Sequence, residues 1–388
     1  AVDNDNGGVA TTAIPTTRAS PAKTTTTIEI NKATDKATND ASSTTASNPK
    51  HASSVVTQQQ HQHSGSVSSD DDEIAALTKG LGSVTLSSIP TIAAIHEAPE
   101  AIRNLATMLS SKKKYSNIVI LTGAGISCNA GIPDFRTPGS GLYDNLQKYN
   151  LPHPTAVFDL EFYKVNPSPF VQLASELWPG LKHSPTVTHS FIALLERKGM
   201  LLRNYTQNID MLDVLAGVSE DKMIECHGHF RTAACTKCSR PFDGKECKHI
   251  IVEEKRPPIC KSCGGYVKPD IVFFGEALPS KYHRLVKHDM KKADLLIVMG
   301  TSLMVGPVNM IPEMVSRSCP RVLLNRELAG TFLKRNQGLS TRRKSYDTSV
   351  QRDIFHKGDC DASIMSLCTL LGWKNELMEL HLSTRLGS

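Results

Sequence analysis

Aromatic residues are scarce in this 388-residue chain: they make up 5% of it, with two tryptophans. Set against an apolar share of 39%, that scarcity points to polar material diluting a globular part. Long apolar runs are missing as well. No stretch reaches the roughly 20 residues a helix needs to span a bilayer, so the chain is read as soluble and without a membrane partner. Charge of one sign is also lacking. The net charge of +6 comes from scattered basic residues, which removes charge as an argument for direct nucleic-acid binding. The N-terminal stretch shows no secretory signal, and it is not the Arg-rich, acid-poor pattern of a transit peptide, because Asp3, Asp5, Asp35 and Asp40 stand in it. The expected compartment is the cytoplasm, with access to the nucleus.

What is present is unevenly distributed. Residues 1–72 are dominated by Thr, Ser, Ala, Asn and Gln; they cannot bury enough apolar surface to offset their ordering entropy and are expected to be disordered. From Ile74 to Leu109 apolar residues recur at helical spacing, as at Ile102, Leu105 and Leu109, and short helices are expected to lead into a first strand. Ten cysteines would suit a secreted disulfide protein, yet four of them form two Cys-x-x-Cys pairs. That spacing favours a reducing compartment and a metal.

The first strand, read over Asn117–Thr122, runs into Gly123-Ala124-Gly125. Glycines at the turn from a strand into a helix let the backbone approach a phosphate, and only the first two of the dinucleotide fingerprint are here, because Cys128 occupies the third place. A tight turn with no ligand is the structural alternative. Beyond the turn, Pro133-Asp134-Phe135-Arg136 sets an acid, an aromatic and a base side by side.

Further strands are expected at 201–206, 294–299 and 321–324, with a short one before Gly358. They alternate with helical patterns and stop at small or polar clusters: Gln207-Asn208-Ile209-Asp210, Gly300-Thr301-Ser302 and Asn325-Arg326-Glu327. This predicts a doubly wound α/β fold. In such a fold ligands gather beyond the carboxyl ends of the strands, although Asn208 and Asp210 could equally be capping the next helix. His227 and His229 flank Gly228 and are candidates for a base.

The pairs Cys235/Cys238 and Cys260/Cys263 are separated by 21 residues, the layout of a zinc ribbon with four thiolates and no open position, hence a structural ion. Cys247 between them lacks a partner at knuckle spacing. Between residues 139 and 185 a Pro- and Phe-rich section containing Phe158, Phe162, Phe170 and Trp178 reads as a small helical insertion whose aromatics are core.

Eight motifs in this order resemble the sirtuins, NAD-dependent protein lysine deacylases: residues 123–127, 131–136, 206–210, His227-Gly228, the cysteine pairs, 272–276, 300–302 and 358–360. The likeness covers about residues 95–375 and is nearest the eukaryotic cytoplasmic and mitochondrial deacetylases. It implies a Rossmann-type NAD-binding domain (73–138, 186–226 and 273–375), a small domain made of the insertion (139–185) and the zinc ribbon (227–272), and a C-terminal tail (376–388). By the same resemblance, His227 is the general base. Asn208 and Asp210, with Gln207, surround the nicotinamide ribose, while Ser302, Asn325 and Cys360 hold the adenosine part. Gly123, Ala124, Gly125, Gly300 and Thr301 belong to the cofactor site, and Pro133, Asp134, Phe135, Arg136 and Tyr143 to a mobile loop over it. Val272 and Phe274 flank the acyl-lysine, and Gly275 and Glu276 pair with substrate backbone as an added strand.

The implied reaction consumes NAD and moves the acetyl group of a protein lysine, histone or otherwise, onto ADP-ribose. A weak nucleophile such as the acetyl oxygen suffices if it is held in line with the sugar carbon, and a neutral imidazole then takes a proton from a ribose hydroxyl. Sirtuins that favour acidic acyl chains carry a Tyr and an Arg in the insertion, whereas residues 151–180 hold no Arg; acetyl, with longer fatty chains tolerated, is expected. The rival readings are a mono-ADP-ribosyltransferase and a non-catalytic NAD-sensing scaffold.

Overall fold

The computed structural model describes residues 98–134, 141, 146, 151–336 and 352–386. The stretch expected to be disordered (1–72), the helical pattern before Ala98, residues 337–350 of the basic loop, and Phe135, Arg136 and Tyr143 lie outside them. Helix α1 (Glu100–Ser110) places Ile102, Leu105, Ala106 and Leu109 on one buried face, the period its sequence foretells. It leads to β1 (Ile118–Thr122), buried along its whole length. The helix expected directly after β1 is replaced by two single 3₁₀ turns, Ala124–Ile126 and Cys128–Ala130. They end at Gly131, whose left-handed φ of 83° breaks the path, and Pro133 follows.

The insertion folds as α2 (Leu160–Val165) and α3 (Ser168–Leu177). Next comes α4 (Val187–Arg197), opened by a reciprocal Thr186–His189 cap, and it delivers β2 (Leu201–Thr206). A short α5 (Leu212–Leu215) precedes β3 (Met223–Glu225), a three-residue strand too brief to announce itself in the sequence. Strands β4 (Gly228–Cys235), β5 (Pro241–Phe242) and β6 (Val267–Ile271) form a separate antiparallel sheet, with α6 (Gly244–Val252) between β5 and β6. The chain then returns through α7 (Ser280–Lys292), β7 (Leu295–Met299), α8 (Ile311–Met314), β8 (Arg321–Asn325), α9 (Thr331–Asn336), β9 (Asp353–Lys357), α10 (Cys360–Leu370) and α11 (Lys374–Leu386).

The large sheet has the order β3-β2-β1-β7-β8-β9, with every pair parallel. Counted by appearance within that sheet this is 3-2-1-4-5-6, the dinucleotide-binding order, and the direction of winding reverses between β1 and β7. The apolar runs follow from burial on both faces. Ile118 and Ile120 of β1, and Leu295, Ile297 and Met299 of β7, point into the core under α1, α4, α10 and α11. Val119, Leu121, Leu296 and Val298 point into the opposite core with Tyr282, Val286 and Met290 of α7. A third core joins the insertion to the small sheet: Phe158, Tyr163 and Phe170 meet Phe273 edge to face, and the Tyr163 hydroxyl donates to the Val267 carbonyl at 2.7 Å. Phe170 and Trp178 are core, as their spacing suggested.

The segment 376–388, read from the sequence as a tail, falls largely within α11. Leu377 is fully buried and Leu380 nearly so, while Lys198 both pairs with Glu376 at 2.5 Å and lies over the Trp373 ring. Two leucines three apart are too weak a period to reveal a helix without the α4 face they pack on.

Candidate active site

A cavity of about 1120 Å³ opens at the carboxyl ends of β1, β2, β7 and β8, where the sheet reverses its winding. Its floor is made of backbone in unusually close contact. A side chain at Gly123 would put its Cβ 2.7 Å from Thr301, and one at Gly125 would lie 2.8 Å from Gly300. The Gly125 N–H is spent on the Gly300 carbonyl at 2.8 Å. The glycines therefore let two strand-end loops interlock, where the sequence suggested only approach to a phosphate. Of the expected cofactor residues, Ala124, Asp134, Gln207, Asn208, Ser302, Asn325 and Cys360 also line the cavity. Pro133 and Asp210 are not among the lining residues.

Asp210 is held just behind the wall. Its carboxylate accepts from the Ser127 hydroxyl at 2.6 Å and from the Leu212 N–H at 3.0 Å. Asn208 Nδ2 donates to Ser127 Oγ and to the Gly123 carbonyl, both at 3.2 Å, and its own N–H is bound by Thr206 Oγ1. Gln207 Nε2 reaches Thr301 Oγ1 at 2.9 Å and the Thr122 carbonyl at 3.1 Å. Asn325 Nδ2 ties Thr301 O to Glu327 O. The amides thus stitch the ends of four strands together before any ligand arrives. Cys360 donates to the Leu324 carbonyl, and burial pushes its thiol up to about 12, so it is a neutral wall group.

The two candidate histidines are separated by Gly228. At His227, Nδ1 lies 2.8 Å from the Gln207 carbonyl, which can only accept, so the proton sits on Nδ1. Nε2 then carries a lone pair, and it is buried without a partner at the cavity wall. Burial pulls the imidazole below its ordinary 6.5, so the ring is neutral at pH 7. His229 lines instead a second cavity of about 650 Å³. Gly228 adopts a φ of 77°, and a Cβ there would stand 2.0 Å from the Asp270 carbonyl. Only glycine lets the chain turn His227 to one cavity and His229 to the other.

Opposite His227 runs the segment 271–276. The Val272 N–H donates to the His227 carbonyl at 2.8 Å, and Phe274 exchanges backbone hydrogen bonds with Phe158 and Leu160 of the insertion. Gly275 has a φ of 95°, and among the described residues its N–H and C=O have no partner. Val272, Phe274, Gly275 and Glu276 all line the main cavity.

The four paired cysteines come together at the tip of the small sheet, with all sulfurs within 4.8 Å of one another. Cys238 and Cys260 are 3.8 Å apart and Cys235 and Cys263 3.4 Å. A tetrahedral zinc with Zn–S bonds of about 2.3 Å needs sulfurs roughly 3.8 Å apart, so the set fits. Its acid–base balance fits too. The Ser262 N–H leads in lowering Cys260 to about 6. At Cys263 the Gly265 N–H favours the thiolate, but the sulfurs of Cys235 and Cys238 outweigh it and push the group up to about 12. Four adjacent thiolates require a cation to coexist. Cys247 lies on α6 with its side chain in the core and takes no part.

A family model described as the Sir2 family matches residues 123–307. The chain is 48% identical over 278 residues to the NAD-dependent protein deacetylase sirtuin-2 of Danio rerio, covering 70% of this chain and 72% of the relative. It is 46% identical to the NAD-dependent protein deacetylase sirtuin-3 of Mus musculus, covering 72% of this chain and 79% of that one. The NAD-dependent protein deacetylase hst2 of Schizosaccharomyces pombe is 45% identical, over 70% and 77%. The chain is a sirtuin.

In this sirtuin several residues complete the site that sequence reasoning passed over. Ser127 stands inside a motif quoted for its glycines, but its bond to Asp210 spans 83 positions and shows only in three dimensions. Lys268 lies in β6. It is buried, and it holds the 271–276 segment from below. Neither residue has a local pattern that signals a role. Gly228 did have one, a glycine between two histidines.

Proposed function

We propose that this chain is an NAD-dependent protein lysine deacetylase with His227 as its general base. The observation that carries the assignment is the unpartnered, buried Nε2 of a neutral His227, fixed in its tautomer by the Gln207 carbonyl on the wall of a dinucleotide-sized cavity. The deacetylase names of relatives 45–48% identical to this chain support it. Substrates are proteins carrying acetyl-lysine, histones or others.

The residues present suit NAD: amide and hydroxyl groups of Gln207, Asn208, Ser302 and Asn325 border a cavity with the interlocked glycines at its floor. Gln207 and Asn208, backed by Asp210 through Ser127, would hold the nicotinamide ribose; Ser302, Asn325 and Cys360 would take the adenosine end. Ala124, Pro133 and Asp134, continuing to Phe135, Arg136 and Tyr143 beyond the described residues, would close over it and exclude water. When bound, NAD supplies a nicotinamide–ribose bond whose breaking leaves an electron-poor carbon for the acetyl oxygen. His227 Nε2 receives the proton released from a ribose hydroxyl. Val272 and Phe274 keep the acyl-lysine in line, and Phe158 of the insertion on the cavity wall, with no Arg in residues 151–180, favours acetyl over acidic acyl groups. The four thiolates hold one structural zinc, which fixes the β4–β6 sheet that carries His227 and the 271–276 segment.

None of the ten cysteines is in a disulfide, which suits a reducing compartment, and the cytoplasm or nucleus is the proposed place of action. Mass spectrometry of an acetylated peptide incubated with the protein, with and without NAD, tests the reading. Loss of the acetyl group only with NAD, together with acetylated ADP-ribose in the supernatant, is the expected result. ADP-ribose attached to the peptide or the protein, with the acetyl group retained, would replace it with a transferase.

A further inference from the structure

Among the described residues, Lys268 is the one buried lysine, and its ammonium group is spent inside the protein at the substrate side of the cleft. The residue is 5% exposed. Its Nζ donates to the Ile271 carbonyl at 2.6 Å and to Glu276 Oε2 at 2.9 Å, lies 3.4 Å from the Pro269 carbonyl, and sits 4.6 Å from the centre of the Phe273 ring. The same Glu276 oxygen accepts from the Phe273 N–H at 2.8 Å, and the Glu276 N–H closes a turn onto the Phe273 carbonyl at 3.0 Å. Gly275 takes the third position of that turn with the positive φ that a type II turn demands. One ammonium therefore clamps both ends of a six-residue loop, from Ile271 to Glu276.

That loop carries more than itself. Val272 is hydrogen-bonded to the His227 carbonyl, Phe274 to Phe158 and Leu160, and the free N–H and C=O of Gly275 project at its tip. Resting on the proposed deacetylase reading, we infer that Lys268 and Glu276 form a positioning latch that presents the edge of this loop to the backbone of the acetylated peptide. An ion pair with one end buried, here the Lys268 ammonium, is poor evidence of stability but a good device for selecting one conformation. Here the conformation selected is an open hydrogen-bonding edge, the kind an extended peptide joins as an added strand. The latch makes no contact with the cofactor residues Gln207, Asn208, Ser302 or Asn325 among the hydrogen bonds of the described residues, so its loss should weaken peptide binding selectively.

The test measures two affinities on the full chain: a fluorescent acetyl-lysine peptide by anisotropy, and NAD by calorimetry. Lys268→Met and Glu276→Gln should each weaken the peptide about tenfold, the scale of one charge-assisted buried hydrogen bond. NAD affinity should stay within about twofold, and Lys268→Arg should bind the peptide better than Lys268→Met. If Lys268→Met fails to fold, Glu276→Gln still decides, because its amide oxygen keeps an acceptor for the Phe273 N–H. Peptide affinity equal to wild type, an equal loss of NAD affinity, or Arg performing no better than Met would overturn the latch. A wild-type protein that binds the peptide but never removes its acetyl group would overturn the deacetylase reading and leave the latch standing.

Discussion

At the scale of single residues, two buried titratable groups set opposite pH limits. His227 is pulled below 6.5 by burial, so its basic form persists down through that range. Turnover at saturating substrates should hold from neutral pH down to about 6.5 and fall only below it. An acidic limb centred near or above pH 7 would show that the base is another group. Asp213 goes the other way. Burial, with the His189 charge opposing it and that of Asp210 adding to it, pushes its carboxyl up to about 6, while Asn204 Nδ2 donates to it at 3.0 Å. A raised carboxyl pKa means the folded state holds the proton more tightly. The stability it contributes is complete below the unfolded value of about 4 and is lost as pH rises through about 6. Thermal unfolding of Asp213→Asn should therefore lack a decline that the wild type shows between about pH 4 and pH 6; parallel curves would remove Asp213 as its source. His227 was legible in the sequence because a motif surrounds it. Asp213 was not, because its burial arises from β2 and α4, which meet it only in the fold.

At the scale of elements, the small sheet and the last helix make separate demands. The four cysteines were readable from spacing alone, since a knuckle is local and the ligand chemistry narrow. What spacing could not show is that β4 begins at the residue after His227 and ends at Cys235, so that the cysteine site and the proposed base stand at the two ends of one strand. Removing zinc with a strong chelator, or Cys260→Ser, should release about one zinc per chain and abolish deacetylation together with acetyl-peptide binding. Full activity in a zinc-free protein would separate the two ends. Helix α11 poses the reverse case, an element hidden in the sequence and integral to the core. Leu377→Ala should cost about 2–5 kcal/mol in urea unfolding, as for other fully buried leucines. A cost near zero would mean that α11 contributes little to the core it covers.

At the scale of the whole molecule, the sheet order explains why residues so far apart in sequence share a site. Reversal of winding between β1 and β7 brings the ends of four strands to one cavity, and each end had already shown itself as a small or polar cluster. The strands 201–206, 294–299 and 321–324 were placed within a residue of where they lie, and in β7 and β8 burial on both faces leaves little freedom of composition. The short β3 and the 3₁₀ turns after β1 were not legible, because they depend on tertiary contacts with β2 and with Gly300. Fold and chemistry meet at His227, which lines the cavity that this topology creates. The direct test counts nicotinamide released and acetyl groups lost from one peptide, for wild type and for His227→Ala of equal thermal stability. One nicotinamide per acetyl group is expected in the wild type, and a loss of deacetylation of about 10²-fold or more in the variant. Acetyl removal without NAD, or undiminished in His227→Ala, would contradict the proposed function.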